Sequence, residues 1–250
     1  MLRAEGLTKS FGALEVTRQV SLEVPAGRRL AIIGPNGAGK TTLFNILAGE
    51  LKPSAGEIYL GERAVTALSP DRRARLGLAR SFQKNNLFAK LSVRQNLLLA
   101  QLARQGSARI FWRRLSRLER PQREAERVAE QVGLRDQLES QVGALSYGAQ
   151  RQLEIGLALA TDPQVLLLDE PTSGMSPEET QRMLDLVSGL PRDLSVVIIE
   201  HDMDMVFGTA DRIMVLNYGQ VLLEGTPEEV RSSQAVQETY LGGGAGEPAC

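Results

Sequence analysis

Apolar and polar residues follow different periods in different parts of this chain of 250 residues. Residues 18–24 alternate between apolar and polar and predict a half-buried strand, whereas residues 29–33 form a short apolar run typical of a buried strand. The segment 41–49, TTLFNILAG, has the spacing of a helix that ends near Gly49, and GEIYLG predicts another short strand. From residue 92 to about 161 the pattern is mostly helical.

The last third of the chain returns to apolar strands separated by helices. The strands QVLLLDE and LSVVIIEH flank the segment PEETQRMLDLVSGL, a predicted helix with Pro177 near its first turn. DRIMVLNYGQVLLEG is typical of a hairpin, TPEEVRSS begins with a helix-capping pattern, and residues 242–250 are expected to form a flexible tail. Apolar strands that alternate with helices indicate an α/β fold, with a mostly parallel sheet covered by helices on both faces. The helical middle is interpreted as an insertion into this fold.

Composition narrows the classes of partner and compartment. The formal net charge of −1 does not favour nucleic acid as a partner. No apolar run approaches the roughly 18 residues that cross a bilayer, and the first residues lack a stretch of signal-peptide type. The single cysteine, Cys250, allows no internal disulfide. We therefore expect a cytoplasmic protein that reaches a membrane only through a partner.

A phosphate-binding loop is predicted between the strand at 29–33 and the helix at 41–49. Its sequence GPNGAGKT matches G-x-x-x-x-G-K-[ST], in which glycines let backbone N–H groups face phosphate oxygens. The lysine supplies a positive charge for the β- and γ-phosphates, and the following hydroxyl is a ligand for Mg²⁺. The candidate ATP-binding residues of this segment are Gly34, Pro35, Asn36, Gly37, Ala38, Gly39, Lys40, Thr41 and Thr42.

One predicted buried strand ends in two acids, and another ends beside the only histidine of the chain. Ligands bind at the carboxyl ends of parallel strands, so these residues are expected in one crevice. Asp169 is expected to hold Mg²⁺, directly or through water, and Glu170 to act as the general base toward the attacking water. His201 is placed to hydrogen-bond the γ-phosphate. The alternatives are an acidic strand end that only flanks a turn and a structural or exposed histidine.

The segment LSYGAQRQLE, at residues 145–154, predicts a second helix N-terminus that can bind an anion. Ser146 or Gly148 lies at its start, and helix N-termini attract phosphate through free N–H groups and the macrodipole. The alternative is an ordinary capped helix of the core. A second phosphate-binding helix start needs an explanation, because the chain already has one.

The motifs GPNGAGKT, LSYGAQ, LLLDEPTSG and EHD, in this order, resemble those of ATP-binding cassette (ABC) ATPases over about residues 1–241. The resemblance implies one domain: a P-loop NTPase core (1–90 and 163–241), an antiparallel β subdomain, and an inserted α-helical signature subdomain (about 91–162). It also implies that Phe11 stacks on adenine. Gln83 is implied to sense Mg²⁺ and the γ-phosphate, as both a metal and a catalytic residue.

The resemblance gives the second helix start a purpose. In this family two cassettes, identical or not, pack head to tail, so Ser146 and Gly148 are implied to contact the partner's ATP. The usual signature L-S-G-G-Q is altered here by Tyr147 and Ala149. The turn after the acids, SGMS, carries Ser176 in place of its usual aspartate.

Longer segments, including LEIGLALA and IEHDMDMVFGTADRI, resemble the branched-chain amino acid uptake subgroup of ABC transporters. Urea and short-amide uptake cassettes are similar around GQVLLEGT, and lipopolysaccharide-export cassettes share GTPEEV and YLG. The subgroup implies an ATPase, peripheral on the inner face of the cell membrane, with separate permease subunits and, indirectly, a solute-binding protein. A soluble ABC ATPase in macromolecular assembly or repair is the alternative of another class.

An arginine-rich insertion at residues 104–127 contains the only tryptophan, Trp112. On one helix its apolar residues would form a stripe. Such a helix has three alternative roles: it covers the helical subdomain, it contacts membrane subunits or lipid headgroups, or it binds nucleic acid. The near-neutral net charge argues against nucleic acid. The stripe consists of Ile110, Phe111, Trp112, Leu115 and Leu118.

Overall fold

A computed structural model describes residues 1–81, 87–104 and 119–241. Its central sheet has the strand order β10-β9-β3-β8-β7-β6. Neighbouring strands from β9 to β6 pair in parallel, and only the edge strand β10 is antiparallel to its neighbour. The predicted mostly parallel sheet is therefore confirmed. The strands are β3 (Arg29–Ile33), β6 (Leu78–Arg80), β7 (Val165–Asp169), β8 (Ser195–Ile199), β9 (Arg212–Asn217) and β10 (Gln220–Gly225).

A second, antiparallel sheet lies in the first part of the chain, with the order β2-β1-β4-β5. Its long first strand was not predicted, and its second strand begins four residues before the predicted one. Register shifts between Ala4 and Leu7, and again before Lys9, interrupt the regular alternation of buried and exposed positions, so the sequence pattern of this strand is weak. The strands are β1 (Leu2–Phe11), β2 (Leu14–Val24), β4 (Ala55–Leu60) and β5 (Arg63–Ala64).

Three helices, α1, α6 and α8, begin or end near the positions predicted for them, whereas α2, α7 and α9 were not predicted. α1 ends at Ala48 with Gly49 as its left-handed cap, Pro177 is the first residue of α6, and α8 begins with a capping box on Thr226. The helices are α1 (Lys40–Ala48), α2 (Pro70–Arg75), α3 (Val93–Arg104), α4 (Glu119–Gln131), α5 (Tyr147–Leu159), α6 (Pro177–Ser188), α7 (Met203–Thr209), α8 (Pro227–Ser232) and α9 (Gln234–Leu241).

Apolar side chains cover both faces of the parallel sheet. Leu166 and Leu168 of β7 join a core with α3, α4 and α5 on one face. Val165 and Leu167 of the same strand join a core with α1 and the antiparallel sheet on the other. Burial on both faces explains why β7 and β8 are continuous apolar runs in the sequence. In the described part of the chain, no helix is long and apolar enough to span a bilayer.

Candidate functional site

The loop between β3 and α1 has the backbone of a phosphate-binding turn. Gly37 and Gly39 have φ of 80° and 98°, in the left-handed region that favours glycine. A Cβ on Gly39 would lie 2.7 Å from the carbonyl oxygen of Val16, whereas one on Gly37 would meet no atom within 4 Å. The loop is thus packed against β2 on one side and open on the other. Because α1 starts without a side-chain cap, the N–H groups of its first turn are available to an anion.

Lys40, the first residue of α1, folds over this loop. Its Nζ donates hydrogen bonds to the carbonyl oxygens of Gly34 at 2.6 Å and Pro35 at 3.0 Å. Burial lowers the pKa of Lys40, and the nearby carboxylate of Glu170 opposes that effect. Thr41, the next residue of the helix, is exposed. The structure therefore brings the loop, Lys40 and Glu170 together.

Asp169 and Glu170 follow one another at the carboxyl end of β7. The side chain of Asp169 is only 1% exposed, and its Oδ2 accepts a hydrogen bond from Arg80 Nη2 at 3.1 Å. Burial raises the pKa of Asp169, and the charge of Arg80 opposes the rise. Glu170 has φ of 45°, an unusual conformation for a residue with a side chain, and its N–H donates to the Ile199 carbonyl oxygen of β8 at 2.9 Å.

Arg80 was not identified from the sequence, yet its guanidinium pairs with Asp169 in this crevice. Besides Asp169, its guanidinium reaches Asn45 Oδ1 at 2.9 Å and Glu50 Oε2 at 2.7 Å. It also lies over the ring of Phe44, with 4.7 Å between the guanidinium carbon and the ring centre. Arg80 therefore connects the end of β6 to the helix that follows the phosphate loop. Its place at the end of a parallel strand was the available signal.

The end of β8 carries a buried acid before the exposed histidine. His201 is 66% exposed at its side chain, and its Nδ1 lies 3.5 Å from Oε2 of Glu200, whose side chain is fully buried. Since β8 lies between β3 and β7, His201 follows the strand between those that lead to Lys40 and Asp169. The three strand ends share one edge of the sheet, as predicted.

The start of α5 lies against the first turn of α6 and the turn that precedes it. Ser146 is the N-cap and accepts from the N–H of Ala149, which decides between the two predicted starts. The N–H of Gly148 donates to Glu179 Oε1 at 3.0 Å, and the hydroxyl of Tyr147 donates to the Ser173 carbonyl oxygen at 3.2 Å. A carboxylate of the same chain thus lies where the second anion was predicted.

Glu179 is held there by backbone donors from two elements. Hydrogen bonds from the N–H groups of Ser176 and Gly148 lower the pKa of Glu179. A Cβ on Gly148 would lie 2.6 Å from Glu179 Oε1, so a larger residue there would require the carboxylate to shift. Sequence reasoning missed Glu179, because its obvious role is the capping box that it forms with Ser176.

Phe11 ends β1 beside the hairpin turn and is 52% exposed, with Lys9 Nζ 5.1 Å from its ring centre. Val16 lies five residues further along this hairpin and packs against Gly39 of the phosphate loop.

Gln83 lies outside the described residues, as do residues 105–118 of the arginine-rich insertion and the tail 242–250.

Oxygen atoms of the crevice suit Mg²⁺ bound together with a nucleotide. The Thr41 hydroxyl and the Asp169 carboxylate are hard donors, and Arg80 contacts only one oxygen of that carboxylate among the described residues. No group of three or more acidic, histidine or cysteine side chains that could hold a metal occurs in the described ranges. The donor set therefore fits a cation that completes its shell with phosphate oxygens and water.

Comparison with known proteins gives the family. Residues 17–173 match the family model described as ABC transporter, and residues 220–246 match one described as branched-chain amino acid ATP-binding cassette transporter. The chain is 42% identical to the high-affinity branched-chain amino acid transport ATP-binding protein LivG of Salmonella typhimurium, over 97% of this chain and 98% of that protein. It is 39% identical to BraF of Pseudomonas aeruginosa, a protein of the same description, over 97% and 98% of the two chains.

Among solved structures, the ADP conformation of MJ1267, an ATP-binding cassette of an ABC transporter, matches with a TM-score of 0.86. The two sequences are 31% identical, and the match covers 97% of this chain and 98% of that one. A relative with another described role, the lipopolysaccharide export ATP-binding protein LptB of Acidithiobacillus ferridurans, is 35% identical over 97% of each chain. The chain belongs to the ABC transporter family, as one of its ATP-binding cassettes.

Proposed function

We propose that this protein is the ATP-hydrolysing subunit of a transporter that takes up branched-chain amino acids. One observation carries the proposal: the chain is 42% identical to LivG over almost the whole length of both proteins. The match of residues 220–246 to the branched-chain amino acid model adds support from a second segment. Lipopolysaccharide export and urea or short-amide uptake are the competing roles, and the experiment below distinguishes them.

The proposed chemistry assigns one task to each residue of the crevice. The loop 34–41 and Lys40 bind the phosphates of ATP, and Phe11 stacks on the adenine. Thr41, Asp169 and Gln83 hold Mg²⁺, which when bound neutralises charge on the β- and γ-phosphates. Glu170, whose carboxylate is close enough to Lys40 to affect its pKa, accepts a proton from the attacking water.

His201 completes the proposed set as a hydrogen-bond donor to the γ-phosphate. Its exposure of 66% leaves its ring accessible from the crevice. Its backbone is fixed through the buried Glu200, so a free side chain extends from a rigid turn.

The start of α5 is proposed to act on a second cassette. The N–H of Gly148 donates to Glu179 of its own chain and Ser146 caps α5, so the ATP of a partner cassette, identical or not, would displace the Glu179 carboxylate from this helix start. Electrostatic completion of a site in trans can accelerate phosphoryl transfer by roughly 10³–10⁵. Hydrolysis would then require closure of the dimer, and closure would move separate permease subunits on the inner face of the membrane. A solute-binding protein would deliver the amino acid from the other side, and nucleic acid has no part in this scheme.

Transport by the reconstituted system tests the proposal. The chain is co-expressed with the permease subunits encoded beside its gene, purified, and placed in vesicles with ATP on the cassette side and the cognate solute-binding protein on the other. Uptake of labelled leucine, isoleucine or valine is expected, with roughly tenfold or greater loss in Lys40→Ala, because the phosphate-binding charge is removed. Lys52→Ala, at an exposed lysine, is the matched control.

The proposal fails if the chain associates with no membrane subunit, or if the assembled complex moves urea, an amide or a lipopolysaccharide instead. An assembled complex that transports branched-chain amino acids equally well with Lys40→Ala would contradict the assignment of the phosphate loop.

A further inference from the structure

We propose that Glu200 is a positioning residue that fixes the turns of Glu170 and His201 relative to each other for ATP hydrolysis, an inference that rests on the proposed function. Glu200 follows β8 directly, and its side chain is fully buried. None of the roles proposed above uses it. A buried carboxyl group is costly unless hydrogen bonds compensate for its lost hydration.

The two oxygens of Glu200 each serve a different turn. Oε1 accepts from the N–H of Thr172 at 2.9 Å and from the Thr172 hydroxyl, in the turn that follows Glu170. Oε2 accepts from the N–H of His201 at 2.8 Å and of Asp202 at 3.3 Å, in its own turn. One side chain therefore receives four hydrogen bonds and joins the carboxyl ends of β7 and β8.

Hydrogen bonds hold the backbone at Glu170 itself and two residues after it. The N–H of Glu170 donates to the Ile199 carbonyl oxygen, and Thr172, two residues later, is held by Glu200. Between these two points Glu170 keeps φ of 45°. A non-glycine residue stays in this region only when its surroundings impose it. The hydrogen bonds to Ile199 and Glu200 therefore account for the conformation of the proposed general base.

The same carboxylate also fixes the backbone from which the His201 side chain extends. The bonds to His201 and Asp202 fix the turn, and Asp202 in turn caps α7 by accepting from the N–H groups of Asp204 and Met205. Any shift of the Glu200 side chain would thus move the proposed base and the proposed γ-phosphate donor together.

Four donors converge on Glu200, so a side chain with two acceptor oxygens is the one that fits. The donors are N–H and O–H groups of Thr172, His201 and Asp202. Glutamine has the same shape but one oxygen. Its NH₂ group would face two donors, either those of Thr172 or those of His201 and Asp202, and one turn would have to move.

The experiment compares Glu200→Gln with Glu228→Gln, a loss of the same charge at an exposed position on α8. ATPase rate, ATP affinity, bound-ATP stoichiometry and melting temperature are measured on the full-length protein. We expect kcat per bound ATP to fall by about 10–100-fold in Glu200→Gln, since small misplacement of reacting groups has effects of this size. The dissociation constant for ATP should stay within about twofold, because the phosphate loop is untouched, and Glu228→Gln should match the wild type.

Thr172→Val provides a second, milder test that keeps the N–H donor and removes only the hydroxyl. It should lower kcat per bound ATP by roughly 3–10-fold, again with little change in ATP affinity. This variant decides the question if Glu200→Gln does not fold, and a normal kcat in Thr172→Val would then overturn the inference.

Two other results would also overturn it. Glu200→Gln could retain the wild-type kcat, or its activity could fall only in proportion to the fraction of protein that binds ATP, which indicates a purely structural role. These outcomes require an active wild-type protein. A wild type that never hydrolyses ATP, alone or with its membrane partners, would refute the proposed function, and the role of Glu200 with it.

Discussion

Replacing Arg80 by methionine removes the counter-charge of Asp169, a buried acid of the crevice. Arg80 is 11% exposed and Asp169 only 1%, with 3.1 Å between the paired atoms. Removal of one partner from a buried pair leaves an uncompensated charge and is destabilising by about 3–5 kcal/mol. Methionine keeps contact with the Phe44 ring, and the lost bond to Glu50 counts for little because that side chain is 43% exposed. We therefore expect the free energy of unfolding to fall by about 3–5 kcal/mol.

Urea unfolding without nucleotide measures this loss, with Arg135→Met as the matched control. Arg135 pairs with Glu130 at 2.8 Å, but both side chains are more than 60% exposed, so its loss should be below about 1 kcal/mol. The double variant Arg80→Met/Asp169→Asn also removes the uncompensated charge of Asp169. It should be destabilised by clearly less than the sum of the two single changes.

Two outcomes would refute this reasoning. One is an Arg80→Met protein as stable as Arg135→Met, which would mean that the pair contributes no more than an exposed one. The other is strict additivity in the double variant, which would mean that Arg80 and Asp169 do not interact.

Two further predictions concern a glutamate at the α5–α6 contact and a buried arginine. Glu179→Gln should allow the ATP-dependent dimer to form at lower protein concentration in sedimentation experiments, because a negative charge no longer competes with phosphate at Gly148. Glu178→Gln, on the exposed side of the same turn, should have no effect. Equal behaviour of the two variants would contradict the assignment. Arg73→Met should lower the free energy of unfolding by about 1–3 kcal/mol in urea, because carbonyl oxygens of α1 and of the chain before α2 lose their buried donor. Burial lowers the pKa of that guanidinium to about 10. Arg72→Met is the exposed control, and a similar loss in both variants would contradict the argument.

Local sequence patterns predicted the parts of the fold that local physics determines. The run at 29–33 coincides with β3, because a strand buried on both faces must be apolar at every position. Pro177 and the glycine after α1 mark helix ends through backbone geometry alone. The phosphate loop was predicted in the same way, since its proposed function depends on residues that are adjacent in sequence.

Contacts between distant residues were not predictable from these patterns. Arg80 ends a three-residue strand, and its pairing with Asp169 exists only because β6 lies beside β7 in the sheet. Glu200 and Thr172 meet because β7 and β8 are neighbours, and Glu179 reaches Gly148 because α6 begins beside α5. Each contact depends on tertiary arrangement, while the sequence shows only a charged residue at the end of an element.

Assembly of the Glu170→Gln variant with ATP tests the central claim, that hydrolysis by Glu170 takes place in a site completed by a second cassette. Sedimentation velocity of this variant, with and without Mg–ATP, measures the mass of the particle. The account predicts a monomer of 27.2 kDa without nucleotide and a stable dimer with Mg–ATP, because the closed state forms but ATP is not cleaved. A variant that binds ATP yet forms no dimer, either with itself or with a sister cassette, or that hydrolyses ATP at the wild-type rate, would contradict it.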